Sequence, residues 1–499
     1  MFDVLVVGGG PVGLFLACEL RLAGVSPLVL ERRPEPDPAD KAHGLAGQVV
    51  RLFDHRGLFE RCGGRGAPRP APGFFFGGMP LPLHVLGAEN PMYLLPVAQR
   101  ELERVLGERA AELGVEVRRG WDVLSVSQTE GQVAVVARGP DGAETTFTAP
   151  YLVGCDGADS LVRKQAGIAF PGVTDENVVE RWALIGPSDH VRPGGRVVVD
   201  GLGEIPAHFY RTERGVFTLL THGPQLVNTV EWERHPTDGP MTLAEMEESV
   251  ERVIGARLPL TPPPEGAPTL PRRLCGRNTR LADRYRAGRI FLAGDAAHVS
   301  NGPTLNLGLQ DAANLAWKLA AALRGRAPEG LLGSYETERH ASGERIHMAT
   351  QADRTALLHP GSEVTALRQL FAELLGRTEN VRMIAELMAG ADVRYDMGEE
   401  HPAAPTGRFV PSLDLTVDGH PRRLAELLHD ARPMLLDLTG GHDLAAVAEP
   451  WNDRVRHVPA TADDAPAPAM LIRPDGYVAW AGTDPDGLKS ALTRWFSPG

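Results

Sequence analysis

The stretch Gly8-Gly9-Gly10-Pro11-Val12-Gly13 decides how this chain begins to fold. Residues 3–7 before it form a short, mostly apolar run. Residues 14–22 after it carry apolar side chains at helical spacing, up to a stop at Gly24. A second apolar run over residues 27–30 ends at Glu31. Strand, tight turn, helix and strand in that order predict a βαβ unit. The glycines satisfy G-x-G-x-x-G: Gly8 permits the tight turn, Gly10 lets backbone amides approach a pyrophosphate, and Gly13 allows close helix packing. Pro11 and Val12 complete the turn at the helix N-terminus, where negative charge is favoured. Glu31, followed by Arg32, closes the second strand where a carboxylate can accept ribose hydroxyls. A 2′-phosphate would be repelled there, so the bound nucleotide is expected to be FAD or NAD rather than NADP.

Working outward, residues 99–113 read as a helix closed by Gly114, and short strands over 123–126, 133–136 and 146–149 read as a β-meander. Residues 73–98 are rich in Gly, Pro and aromatics. Residues 173–271 alternate strand-like stretches with Gly/Pro turns around one helix near 243–254, the pattern of a separate α+β layer. A strand over 289–293 leads into Asp295, residues 311–323 make a helix, and 332–389 are mostly helical. Pro402, Pro405 and Pro411 mark a linker before a small α/β tail. The expected organisation is a nucleotide-binding domain over 1–172 and 272–345, with 73–98 contributing to the substrate side. A substrate domain over 173–271, a helical connection over 346–400 and a C-terminal domain over 401–499 complete it.

The whole chain is consistent with this division, because 499 residues exceed what one core supports. With 43% hydrophobic and 23% charged residues it is composed like a globular protein. Its net charge of −13 argues against nucleic acid as a partner. Cys18, Cys62, Cys155 and Cys275 show neither CxxC nor metal-ligand spacing, which fits buried thiols in a reducing cytosol and no metal. No stretch approaches the ~18–20 apolar residues that cross a bilayer, and no signal-peptide pattern opens the chain, so a cytoplasmic, membrane-free protein is expected.

Two further stretches choose between FAD and NAD. Gly154-Cys155-Asp156-Gly157-Ala158-Asp159-Ser160-Leu161-Val162-Arg163 resembles the "DG" motif, and Ile290-Phe291-Leu292-Ala293-Gly294-Asp295-Ala296-Ala297-His298 resembles the "GD" motif, of the single-component FAD-dependent aromatic hydroxylases. The resemblance covers roughly the first 350 residues. It extends to residues 471–480, similar to the thioredoxin-like C-terminal domain of the bacterial polyketide-tailoring members. That tail holds no cysteine and cannot be a redox thioredoxin. The resemblance implies an α/β fold: a Rossmann-type domain holding FAD non-covalently, an inserted α+β substrate layer and a small thioredoxin-like domain lacking CxxC. It also implies NADPH or NADH as a transient reductant, dioxygen as co-substrate, and oxygen transfer through a flavin C4a-hydroperoxide to a flat aromatic or polycyclic polyketide-like substrate, by a monomer or homodimer.

Carried onto this sequence, the resemblance places Asp156 and Gly157 near the pyrophosphate. Gly294 and Asp295 lie at the ribityl or ribose hydroxyls, and Gln99 contacts FAD. Lys41 stands where the family has an arginine, retaining the charge but losing bidentate geometry. Between His298 and the next helix, Val299-Ser300-Asn301-Gly302-Pro303-Thr304-Leu305 is shorter by about three residues than the family's loop and lacks two of its glycines. Pro303 has no N–H to offer. Amides around Leu305 and from Asn306, Leu307 and Gly308 at the helix start are left to face the flavin. His298 is a candidate base, or packs behind the turn. Phe74, Phe76, His84, His208, Tyr210 and Trp232, together with Met92 and Phe209, are candidates for the substrate wall, with Phe75 turned away by strand alternation. The shortened loop motivates one alternative, a non-oxygenating flavoenzyme performing dehydrogenation, reduction or rearrangement. Another is a non-catalytic flavin-binding scaffold acting through the tail.

Overall fold

The computed structural model describes residues 2–37, 42–221, 225–233, 239–265, 271–300, 302, 304–441 and 443–497. The opening unit forms as its sequence dictates: strand β1 (Val4–Val7), helix α1 (Pro11–Leu22) and strand β2 (Pro27–Glu31). Both strands are buried and apolar throughout, apart from the terminal Glu31, as parallel strands covered on two faces must be. The sheet they start runs, edge to edge, Arg286–Ala287, Ile290–Leu292, Tyr151–Gly154, β1, β2 and Glu116–Arg119. All pairings are parallel except the first. Helix α1 packs against the helices Gln99–Glu112 and Thr304–Leu323, and a three-stranded meander covers the sheet's other side. Strands from residues 4 to 292 thus share one core.

The middle layer is an antiparallel sheet in the order Tyr210–Arg211, Gly215–Leu220, Gln225–Trp232, Gly172–Ile185, Arg272–Leu281 and His298–Val299. It reaches further along the chain than the expected 173–271. Arg272–Leu281 is the long partner of Gly172–Ile185, and His298–Val299 ties the sheet's edge to the loop after the GD stretch. Pairing, not composition, assigns these strands. One face lies under helix Leu243–Ile254, whose Met246, Val250 and Val253 meet Ala183, Ile185, Phe217 and Val227. Beside them Arg181, 1% exposed, is held by Glu231, Glu233 and Glu245.

Helix Gly333–Thr350 crosses the expected boundary at 345 without a break. Helix Thr378–Ala389 and Leu357 pack on the hairpin of Phe74–Phe76 and Met79–Leu81. In the tail, Met434–Asp437 pairs in parallel with Arg456–Pro459 across helix Asp443–Ala448, and antiparallel with Ala469–Ile472, which pairs antiparallel with Val478–Ala481. That strand order, closed by helix Pro485–Phe496, is the thioredoxin-like arrangement. Among the described residues no helix is long and apolar enough to cross a membrane.

Buried charges fix the tail to the first domain. Arg473, fully buried, donates to both oxygens of Glu338 (2.7 and 2.8 Å) and stacks on Trp495. Lys318 reaches Glu338 at 2.7 Å, and Asn314 bridges Glu338 and Asp475. Burial alone would raise the Glu338 carboxyl, but Arg473 and Lys318 outweigh it and hold it well below the carboxylate range. Burial pulls Lys318 down to about 8 against the pull of Glu338. Removing one member of such a cluster strands a buried charge, which costs about 3–5 kcal/mol. Arg473→Ala is therefore expected to destabilise the fold by about that amount in denaturant titration. The depressed Glu338 carboxyl contributes stability that is present above its unfolded value of 4.5 and lost as pH falls through and below it. Thermal unfolding between pH 3 and 5 should accordingly show a shallower acid loss in Glu338→Gln than in the parent.

Candidate functional site

The turn after β1 is built by contacts only glycine tolerates. Gly8 has φ +108°, and a Cβ there would lie 2.2 Å from the Cys155 carbonyl oxygen. A Cβ on Gly13 would lie 2.0 Å from the Gly8 oxygen, so the helix rests on the turn itself. Over Gly10 there is open space, with no atom within 4 Å of where a Cβ would stand. Pro11, Val12 and Gly13 form the back of this turn, Val12 touching the Gly294 position.

In front of it lies a cleft of about 580 Å³. Gly8, Gly10, Glu31, Arg32, Gln99, Asp156, Gly157 and Asp295, all expected from sequence, line it together. Glu31 accepts the Gly9 amide at 2.6 Å and the Arg33 amide at 2.9 Å, which fixes its carboxylate at one end while leaving lone pairs for ribose hydroxyls. Gln99 donates to Glu103 at 2.9 Å on the cleft wall. Asp295 is exposed on the short 3-10 turn Gly294–Ala296. Glu103, Arg119 and Trp121 also line the cleft and were not expected. Arg119 stands beside Glu31 only through the parallel pairing of their strands, a relation that residue spacing does not encode. Open space over Gly10, a helix N-terminus and carboxylates at both ends suit an FAD molecule's adenosine diphosphate and ribityl portions.

The two later motifs clasp each other. Asp156 accepts from Ser160 Oγ at 2.5 Å and the Val162 amide at 3.1 Å, and burial raises its carboxyl against these bonds. Gly157, at φ +84°, turns the chain. Arg163 then donates to the carbonyls of Ala296 and Ala158, both at 3.0 Å, over the Phe170 ring. Gly294 is pressed between Val12 and Gly308. Behind it Asp311 accepts from the Gly294 amide (3.2 Å) and from Arg339 (2.8 Å), and its Oδ2 lies 2.7 Å from His298 Nε2. His298 is 3% exposed, so the imidazole belongs to this network behind the turn rather than to the cleft.

The helix after the loop begins at Thr304, two residues earlier than expected. Its open amides are consequently those of Leu305 and Asn306, while Leu307 and Gly308 fall inside its hydrogen-bonded ladder. The Asn306 side chain accepts the Ala46 amide at 3.3 Å, and Leu305 packs on the first core. Lys41, Asn301 and Pro303 lie outside the described residues.

The aromatic candidates do not form one wall. Trp232 is half-buried on the middle-sheet face away from helix Leu243–Ile254, in ring contact with His359. His208 meets Phe75. Phe76, 2% exposed, is core of the hairpin and helices, and Phe74 packs against the same cluster. His84 is exposed on a surface turn, and Tyr210 packs toward helix Leu243–Ile254 on the opposite face. Alternation along Phe74–Phe76 holds in the opposite sense to the expected one: Phe75 is the ring that reaches His208 and Phe209. Phe209 itself adopts φ +50°, a conformation bulky residues avoid, beside this contact.

Residues 1–350 match an FAD binding domain model and residues 403–499 an aromatic-ring hydroxylase C-terminal model. The chain is 39% identical over 521 residues to the 12-dehydrotetracycline 5-monooxygenase/anhydrotetracycline 6-monooxygenase of Streptomyces rimosus subsp. rimosus, covering 100% of this chain and 99% of the relative. It is also 39% identical over 504 residues to the dialkyldecalin synthase of Streptomyces rugosporus, covering 99% of each. The solved anhydrotetracycline hydroxylase from Streptomyces rimosus superimposes with a TM-score of 0.84 at 37% identity, over 100% of this chain and 99% of that one.

Two substitutions, with a third as control, test the cleft. Gly8→Ala, forced against the Cys155 carbonyl, should yield little folded, flavin-retaining protein, whereas Gly107→Ala, in a helix with no atom near the added carbon, should raise stability by about 0.5–1 kcal/mol in thermal melts. Glu31→Ala should weaken FAD about ten- to hundredfold when the apoprotein is titrated with FAD by fluorescence.

Proposed function

The chain belongs to the FAD-dependent aromatic-ring hydroxylases, flavin-dependent monooxygenases of antibiotic pathways among them, and from that premise we propose its reaction and substrate class. It is a cytoplasmic, NADPH- or NADH-using monooxygenase that hydroxylates, or inserts oxygen into, a flat polycyclic aromatic of polyketide type. For hydroxylation the balance is substrate C–H, O2, NAD(P)H and a proton going to substrate C–OH, water and NAD(P)+. The observation that carries the reading is the joining of eight sequence-identified residues in one cleft, with the two later motifs clasped beside it through Arg163.

FAD, when bound, supplies the redox and oxygen-transfer chemistry. The chain's part is to hold and orient it. Gly8 and Gly10 give backbone access, Glu31 takes the ribose end, and Asp156, Gly157 and Asp295 line the path toward the helix at Thr304. The Leu305 and Asn306 amides and the positive end of that helix favour negative charge on the ring portion. His298 keeps the turn in place and moves no proton to substrate. The nicotinamide has no second G-x-G-x-x-G domain here and docks transiently. The assembly is a monomer or homodimer.

A second reading is favoured by one finding: a relative of equal identity is a synthase by name, not a monooxygenase. A non-oxygenating reaction on a similar substrate is its content. Incubation of the FAD-loaded enzyme with NADPH, a polycyclic phenol and 18O2 separates the two. The expected result is one labelled oxygen in the product and NADPH consumed in step. Product of unchanged oxygen content, carrying no label, establishes the second reading instead.

A further inference from the structure

Two cavities lie away from the cleft of Gly8 and Asp295, and they abut. The wider, about 570 Å³, lies between helix Gly333–Thr350, residues 392–396 and the tail helix Pro485–Phe496. Exposed Thr337, Ala341 and Arg494 stand at its rim, above buried Tyr395 and Trp495. The narrower, about 20 Å³, extends to Ala46, Asn306 and Leu307. Ser342, Arg345, Asp392 and Val393 line both. A path therefore runs from the surface, past these four residues, to the start of the helix proposed to face the flavin.

The narrow part suits a small apolar molecule. Ala46, Leu307, Ile346, Met388, Ala389 and Val393 give it walls of carbon and backbone. The polar groups beside them are turned on one another. Arg339 donates to Asp311, the Tyr395 hydroxyl and the Leu307 carbonyl, Asn306 accepts the Ala46 amide, and Gln310 donates to the Asn306 carbonyl at 3.2 Å. A water needs several polar partners to settle in a space of this size, and dioxygen needs none. At the junction of the two cavities Arg345 and Asp392 form an ion pair at 2.7 Å, with the Arg345 side chain 45% exposed. A pair so open to water is weak and parts readily.

The reaction calls for such a route. With FAD filling the first cleft and a polycyclic substrate lying over the ring, both approaches are taken and bulk water is kept out. A third reactant has to arrive from a side that neither ligand occupies.

We propose that these two cavities are the entry path for dioxygen, the narrow one holding it beside the helix start at Asn306. The inference rests on the monooxygenase reading above, which makes dioxygen a reactant, and gives that reactant a path of its own. Val393, common to both cavities, and Ile346, on the narrow one, are where added bulk closes it.

The test uses the FAD-loaded enzyme and two readouts. Crystals pressurised with xenon, a probe of dry apolar space, should hold a xenon atom among Leu307, Ile346 and Met388. Ordered water there, with no xenon, overturns the proposal. In stopped-flow mixing of the photoreduced enzyme with oxygenated buffers, Val393→Phe and Ile346→Phe should each lower the second-order rate of flavin reoxidation about tenfold. Ala341→Ser, on the wide cavity alone, should match the parent, and anaerobic reduction by NADPH should be unchanged in all three. Flavin content and melting temperature identify the folded variants. Parent-like reoxidation in either Phe variant that folds overturns the path. Slowed reoxidation in the Phe variants, with no label from 18O2 in the parent's product, upholds the path and sinks the monooxygenase reading.

Discussion

A single carboxylate with no exposed surface, Asp311, sets the geometry on which the site depends. Burial would raise its carboxyl, yet Arg339 and His298 hold it ionised and below its ordinary range. From the middle of one helix it reaches three places: the amide of Gly294 in the turn carrying Asp295, the imidazole of His298 at the edge of the middle sheet, and the guanidinium of the following helix. Arg339 continues the chain of contacts to the Leu307 carbonyl and the Tyr395 hydroxyl. In a low-dielectric interior the bonds that converge on the Asp311 carboxylate hold firmly, because breaking any of them would leave a stranded polar group. The turn facing the cleft therefore does not define itself. It is held from behind.

The layers are mechanically continuous as a result. His298 ends the GD stretch and with Val299 forms the edge strand of the middle sheet, so the surface bearing Trp182 is hydrogen-bonded, strand by strand, to the turn that presents Asp295. On the other side Glu338, next in sequence to Arg339, anchors the tail through Arg473. A cysteine-free thioredoxin-like unit has here a structural use: it supplies a second cation, beside Lys318, to a buried carboxylate of the first domain.

What could be read from sequence was what local chemistry determines. Gly8 and Gly13 announce themselves because only a missing side chain fits where they sit, and Glu31 because strand length places it. Of the eight cleft residues, Gly8, Gly10 and Glu31 follow from local reasons of this kind, whereas Gln99, Asp156, Gly157 and Asp295 were reached through the family resemblance of their motifs. Pairing across distance was not legible. Arg119 and Trp121 enter the cleft through a neighbouring strand, and Arg272–Leu281 joins the middle sheet although it follows the whole segment that composition assigns to that layer. The aromatic candidates show the same limit more sharply. Val178, Glu180 and Trp182 alternate with Val179, Arg181 and Ala183, and each set carries a charge, so period alone does not say which faces solvent, helix or ligand. The sense of alternation in Phe74–Phe76 was fixed by helices far downstream, and Tyr210 was turned by the helix that seals the other face.

The strand order of the first sheet has a bearing on how the protein comes into being. Its second strand in space, Ile290–Leu292, is the last of that sheet to be synthesised, and it is covered by a helix that follows it. A nascent chain emerging N-terminus first therefore carries β1, β2 and Tyr151–Gly154 with an open edge throughout translation of the whole middle layer. Unpaired, apolar parallel strands are sticky templates. The middle layer, made of neighbouring antiparallel strands, closes most of its pairings meanwhile, and Arg473 arrives later still to meet Glu338. Closure of the first sheet therefore waits for residue 292.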